Sequence, residues 1–489
     1  MTPTDPLRAD QLEAWVLAGY QRLERLVVPA FGVDKTVMRR QQCVVEPADV
    51  RLLPLIGLPR EVCSLDDYLS DQRQGMPELD VLTRLSLFFK YLAAPLRYEP
   101  LSESAVHKAV PSSRGRFPLT YFFVQAYGAS TRVYAYVPQF HGLRELPRCT
   151  VSDLEEGTAA LVCVAGAWRY AEEYGEFAHV PCVLEAGHAQ AQAHHLAQLL
   201  GIGALADPDR ELGRALRALP LEIPLYCIGL RLQLEVEKLV LSRPNLAVPR
   251  PYPQMESRFP RLHLFQRCFD SGASPVRRVP PAAATGKHPH GPGARGMLGL
   301  MRSRSSGNDR GLASSVVAPV PRGTLASLVA TWNALRRRRP ASAVERELGL
   351  SLVWLGAEAG TRAAMYDIDG QSMTLGSWRG ELHEALAKML PYANTKYNFS
   401  ALTAVLIIDA DVLATIEQVG DAALREIYLA AGAAAQDFSL AATAHDMFAR
   451  PMKMMREARM ECEFKLRGQA VYLVLCGFAR SANPTMELA

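Results

Sequence analysis

Apolar residues along this chain recur at two spacings, one suited to helices and one to strands. Leu12, Trp15, Val16, Tyr20, Leu23 and Val27 share one helical face, which predicts an amphipathic helix over Asp10 to Leu26. Leu79 to Ala93 is a second helix candidate. Leu119 to Ala126 and Arg132 to Val137 are short, aromatic, β-branched and bounded by turn residues, so they read as strands. Ala159 to Ala165 reads as a third strand. Val183 to Leu200 is Ala-rich and stops at Gly201, a good helix end.

The order then repeats. Leu325 to Leu335 predicts a helix, Leu352 to Gly356 and Ala364 to Ile368 short strands, and Glu381 to Met389 a helix. Ala404 to Ile408 predicts a buried strand, Leu424 to Ala444 a long Ala-rich helix, and Val471 to Leu475 a last strand. This parallel layout predicts an α+β fold built by tandem duplication, with antiparallel-type mixed sheets flanked by helices. A fused pair of halves can serve as an intramolecular pseudo-dimer; further homodimerisation stays open.

Ser271 to Arg295 breaks the pattern. It is rich in Pro, Gly, Ala and basic residues and has no period, so it reads as a linker or long loop. The expected organisation is a first half over 1–260, a linker over 261–295 and a second half over 296–489.

Composition narrows the function classes. Of 489 residues, 49% are hydrophobic and 21% charged, which suits a globular chain of two or three domains. A net charge of +4 is too weak for a nucleic-acid binder. The dense basic run Arg336 to Arg339 reads as the solvated end of a helix. Nine cysteines form no CxxC pair, which suggests reduced, buried thiols. Neither a signal peptide nor a membrane-length apolar run is evident, so a soluble cytoplasmic protein is expected. His188, Gln192 and His195 share a helix face but lack a third ligand of the usual kind, so no metal is expected.

Several segments resemble the nitroreductase-like FMN flavoprotein family, and within it the azoline (thiazoline/oxazoline) dehydrogenases that form azoles in ribosomal peptides. Pro111-Ser112-Ser113-Arg114-Gly115-Arg116-Phe117-Pro118 with Tyr121 resembles the family's "PSxGxxxPxxxY" element. Arg132 to Pro138 and His141-Gly142-Leu143 continue the match. Tyr174-Gly175 and Leu184-Glu185-Ala186-Gly187-His188 resemble the "YGxRxYR…LEAGHxxQN" signature, although the arginine is absent here. In the second half, Ala430 to Gln436 and Val471 to Arg480 resemble the same helix and the last strand.

The resemblance implies FMN and a phosphate clamp of the Arg-x-Ser-x-Arg type. Arg302, Ser303, Arg304 and Ser306 stand where that clamp is expected, and Arg304-x-Ser306 fits its first two positions. Asn308 occupies the place of the second arginine, and a plain Ser/Arg loop is the competing reading. Forked guanidinium contacts suit a phosphate. Arg480 resembles the family's C-terminal phosphate contact; Ser112, Ser113, Gly115, Glu185 and Gly187 fall in the cofactor-binding motifs. Glu185 is either structural or a partner of Arg169. The family's Lys-Tyr pair is matched by Lys396-Tyr397, which implies proton removal by that pair and hydride transfer to the flavin. In the first half, Arg39-Arg40 is the nearest clamp candidate and lacks the Ser, so one flavin per chain is expected.

The implied partners are a modified precursor peptide, of the kind found in thiopeptide and other antibiotic pathways, and a cyclodehydratase or leader-binding protein. Two other readings remain open: an NAD(P)H-dependent nitro- or quinone reductase of the same fold, and a flavin-free peptide- or partner-binding scaffold.

Overall fold

Two antiparallel sheets, one from each half of the chain, flank a pair of buried helices that cross at a glycine contact. The computed structural model describes residues 42–71, 78–99, 105–127, 130–146, 154, 157–205, 216, 222–250, 262, 278–279, 295–307, 312, 315–355, 364–369, 372–376, 378, 382–390, 398–480 and 485–488. The helix expected over Asp10 to Leu26, the Arg39-Arg40 pair and Lys396-Tyr397 lie outside them.

The first sheet has eight strands, in the order Val240–Ser242, Val50–Leu52, Gly142–Leu146, Ser130–Val137, Leu119–Tyr127, Ala159–Gly166, Glu222–Leu230 and Ala204–Leu205. The second has seven, and its path runs Ser315–Val316, Gln469–Ala479, Leu402–Ala410, Gly349–Trp354, Ala364–Asp369 and Ser372–Leu375, with Phe448–Met452 also pairing Gln469–Ala479. Every described pairing is antiparallel. The strands Ala159–Gly166 and Leu402–Ala410 are buried along their whole length, which explains their continuous apolar sequence.

The two central helices, His179–Leu199 and Ala423–Ala444, are buried on nearly all faces. That accounts for their alanine content: small side chains let two backbones approach, and a helix buried all round needs no polar face. Each is entered through a 3-10 turn that starts on a glycine, Gly175 (φ 56, ψ −136) and Gly420 (φ 61, ψ −141). Only glycine takes that backbone conformation cheaply. The same turn, leading into the same helix, marks the duplication more clearly than side-chain identity does.

The halves are also tied outside the helix crossing. Near the C-terminus, Met486–Glu487 pairs with Arg97–Tyr98, which pairs in turn with Val106–His107. Cys163, Cys182, Cys227 and Cys476 are buried and Cys462 is exposed, and none of them forms a disulfide among the described residues. Among the described residues, no helix is long and apolar enough to cross a membrane.

One sequence expectation needs correcting. The Arg336 to Arg339 run is not a solvated helix end. Arg338 and Arg339 are buried, and Arg339 is held by Glu345 and Asp437 at 2.7 Å each. Carboxylates from distant segments neutralise a charge that sequence alone assigns to water. Within 261–295, Arg278–Val279 forms a short strand paired with Ala341–Ser342.

Candidate cofactor site

Arg304 sits at the end of the helix Met297–Ser303 and is only 3% exposed. Its Nε donates to the Ala109 carbonyl at 2.6 Å, its Nη2 to the Lys108 carbonyl at 3.2 Å, and its Nη1 to the Ser306 hydroxyl at 3.1 Å. All three acceptors are uncharged. Burial, followed by the nearby Arg97 cation, pulls its pKa down to about 9. Among the described residues no carboxylate answers this charge. A buried cation satisfied only by neutral oxygens is a place where an anion gains strongly.

The same contacts bring the two halves' motifs together. Lys108 and Ala109 run directly into Pro111-Ser112-Ser113, so the second-half Arg304-x-Ser306 segment is fastened to the first-half motif. Arg97 adds to the fastening by donating to the Arg302 and Arg304 carbonyls at 2.9 and 3.1 Å. Arg450 donates to the Ser306 carbonyl at 2.7 Å.

The Ser112–Ser113 turn forms a polar floor. Ser112 accepts the Phe117 N–H at 2.8 Å and lies 3.1 Å from the Tyr170 hydroxyl. Ser113 meets the Tyr174 hydroxyl at 2.5 Å. The Tyr170 hydroxyl donates to Glu185 at 2.7 Å. Gly115 (φ 63) completes the turn in the left-handed region. Burial pushes the Glu185 carboxyl up to about 7, opposed by hydrogen bonds from Tyr170 and Ser112 and by the Lys108 charge. Arg169, which sequence reading offered as a partner for Glu185, donates to the Phe117 carbonyl at 3.1 Å.

The remaining candidates separate. Arg302 turns to Tyr91 at 3.4 Å, with Glu61 and Glu487 each at 3.9 Å, so its charge is shared with carboxylates. The Ser303 hydroxyl bonds back to Gly299 at 2.7 Å. Arg480 is exposed just past the last long strand and makes no hydrogen bond or ion pair among the described residues. Gly187 serves the helix crossing.

His188 and Gln192, noted as part of a helix face, belong to a chain of hydrogen bonds across the crossing. Gln192 Nε2 donates to the Tyr91 carbonyl at 3.1 Å, so its Oε1 accepts, from Gln436 Nε2 at 2.9 Å. Gln436 Oε1 must then accept from His188 Nδ1 at 3.0 Å. That leaves His188 Nε2 as the acceptor for Tyr472, 3.2 Å away. A carbonyl at one end therefore fixes the tautomer of a buried histidine at the other. Sequence reading missed Lys108, Tyr170, Gln436 and Tyr472 as parts of this region; the position of Lys108 just before the Pro-Ser-Ser motif was the one available signal.

A scan of protein-family models finds no match, and no curated relative is found. Solved structures do match. A protein described as a candidate nitroreductase from Anabaena variabilis superposes with a TM-score of 0.62 at 16% identity, covering 85% of this chain and 91% of that one. A chain of the Escherichia coli microcin synthetase McbBCD complex with truncated pro-MccB17 bound matches at a TM-score of 0.29 and 12% identity, over 33% of this chain and 65% of that one. A candidate nitroreductase from Ralstonia eutropha matches at 0.26 and 19%, over 39% and 96%. The superposition on the Anabaena protein over 85% of the chain establishes a nitroreductase-like fold, and the repeated strand order and entry turns mark an internal duplication within it.

Proposed function

We propose that the chain is an FMN-dependent oxidoreductase that oxidises azoline rings in a ribosomally made peptide to azoles. The observation that supports it most is Arg304, a buried guanidinium with no carboxylate partner among the described residues, fastened to the segment that leads into Ser112 and Ser113. The donor set fits the cofactor. Arg304 and Ser306 would hold the phosphate, with Arg480 as a second cation, and Ser112, Ser113, Gly115 and Glu185 would line the ring. Bound there, FMN supplies the two-electron acceptor. The chain's own work is to hold the phosphate, keep the ring dry and remove a proton from the substrate carbon. Lys396 and Tyr397 are proposed for that last task on the strength of the family resemblance.

One flavin per chain is part of the reading. Pro340-Ala341-Ser342 lies between the helix Thr324–Arg337 and the strand Gly349–Trp354, as Pro111-Ser112-Ser113 lies between the helix Val81–Ala93 and the strand Leu119–Tyr127. The arginine beside it, Arg339, is already neutralised by Glu345 and Asp437. Arg304 has no such partners among the described residues, so the second half's motifs close one site while the mixed site stays ready for an anion.

The test is titration of the flavin-free chain with FMN, followed by incubation with an azoline-containing peptide under air. Loss of a pair of hydrogens per ring, read by mass spectrometry, supports the assignment. A second reading, an NAD(P)H-dependent nitro- or quinone reductase, takes support from the description of the Anabaena protein. Consumption of NADPH with a quinone, and an unchanged peptide, would select it.

A further inference from the structure

Lys108 sits half-buried on a loop that three separate parts of the chain immobilise. Arg304 holds its carbonyl, Val106–His107 just before it pairs with Arg97–Tyr98, and that strand pairs with Met486–Glu487. The Lys108 ammonium lies 4.3 Å from the centre of the Phe117 ring. Phe117 has φ 46, an unusual value for an aromatic residue, and its N–H is held by Ser112. Such local strain persists only where the surroundings enforce it, and it collects at functional sites. Among the described residues the Lys108 ammonium makes no hydrogen bond or ion pair. The charged groups that act on it are Glu185, on the central helix, and Arg169, whose helix packs beside it.

We propose that Lys108 is a proton-accepting amine built into this site, with Glu185 as the group that tunes it. The inference rests on the flavin reading above but moves the proton-accepting role from Lys396 and Tyr397 to Lys108, a residue that neither the motifs nor the resemblance picked out. An aromatic face stabilises the ammonium without accepting its proton, so it leaves the amine free to trade that proton with a substrate. Burial pulls the Lys108 pKa down to about 8; Glu185 opposes the shift and Arg169 adds to it. A base is most effective when it titrates near the working pH. In azoline oxidation one ring hydrogen leaves as a proton to the Lys108 Nζ lone pair. Bound FMN would supply the two-electron oxidant for the neighbouring hydrogen, and the electron pair released from the first C–H bond would form the new double bond. Lys108 becomes an ammonium.

The experiment follows acylation of Lys108 by an amine-reactive ester as a function of pH, read by peptide mass mapping on the purified chain. Half-maximal reactivity near pH 8 is expected, moving lower in Glu185→Gln because an anion is removed. A midpoint in the ordinary lysine range, about 10.4, overturns the proposal. Lys108→Arg keeps the charge and supplies the second arm. It should retain FMN affinity and lose turnover by about 100-fold. Full turnover in Lys108→Arg would make Lys108 a fixed cation and reject its role as a base. A wild-type chain that binds no FMN would sink the flavin reading alone, and the labelling midpoint would then decide Lys108 by itself.

Discussion

Gly187 and Gly432 face each other where the two central helices cross, each occupying the space the other's side chain would need. A β-carbon on Gly187 would lie 2.9 Å from the Gly432 α-carbon and strike the Leu429 carbonyl oxygen. One on Gly432 would lie 3.0 Å from the Gly187 α-carbon and strike the Leu184 carbonyl oxygen. The contact is nearly reciprocal, as expected for a pseudo-twofold axis between duplicated halves.

Gly→Ala in an isolated helix stabilises it by about 1 kcal/mol. Here the obstacle is backbone on both sides and cannot rotate away. Gly187→Ala and Gly432→Ala should each destabilise the chain by about 3 kcal/mol, measured by denaturant unfolding. An unchanged or raised midpoint would mean the helices do not meet at this spacing.

Arg304 is expected to govern cofactor binding. Arg304→Lys keeps a charge but loses the fork that reaches both carbonyls and Ser306. FMN affinity should fall at least about tenfold, measured by fluorescence titration. Arg302→Lys, whose side chain already lies among Glu61 and Glu487, should change it little.

The Arg339 network should matter for folding and leave the flavin count alone. Asp437 also accepts from His195 Nε2 at 2.7 Å, and His195 Nδ1 meets the Tyr68 hydroxyl at 2.7 Å. Arg339 and His195 hold Asp437 below the usual carboxylate range despite its burial. Asp437→Asn leaves buried cationic charge uncompensated and should cost about 3–5 kcal/mol. Bound flavin per folded chain should stay as in the wild type; a change in that ratio would place the network in the cofactor site.

Acid should unfold the chain through its buried histidines. Burial lowers His188 and His179 to about 3, and lowers His141, wedged between Tyr136 and Ser86, to about 4. Their folded pKa values lie below the ordinary 6.5, so their contribution is complete above pH 6.5 and is lost as pH falls toward 3. Glu185 runs the other way. Its raised value makes folding take up a proton, so its contribution is present below pH 4.5 and fades as pH rises through 7. Unfolding midpoints from pH 7 to 4 should therefore fall in the wild type, and less steeply in His141→Gln.

Much of the fold is readable in the sequence because its periodic stretches are long. Helices predicted over Val183 to Leu200 and Leu424 to Ala444 are observed over His179–Leu199 and Ala423–Ala444, and strands predicted over Leu119 to Ala126 and Ala159 to Ala165 are each extended by one residue. The strand Glu222–Leu230 is harder to read because Pro224 interrupts it, tolerated at a bulge. The site is less legible. The depth of Lys108 depends on Arg304, which lies 196 residues further along, and the burial of Arg339 depends on Asp437. A motif locates Ser112 and Glu185, but only the folded chain shows which cations lack carboxylates.

The central claim is a single flavin held at the junction of the two halves. The visible absorption spectrum of the purified chain, with released flavin quantified against protein, tests it most directly. The account predicts an oxidised-flavin spectrum and about one FMN per chain, lost in Arg304→Ala. A chain that stays colourless after incubation with FMN would contradict the enzyme assignment, and two flavins per chain would contradict the single mixed site.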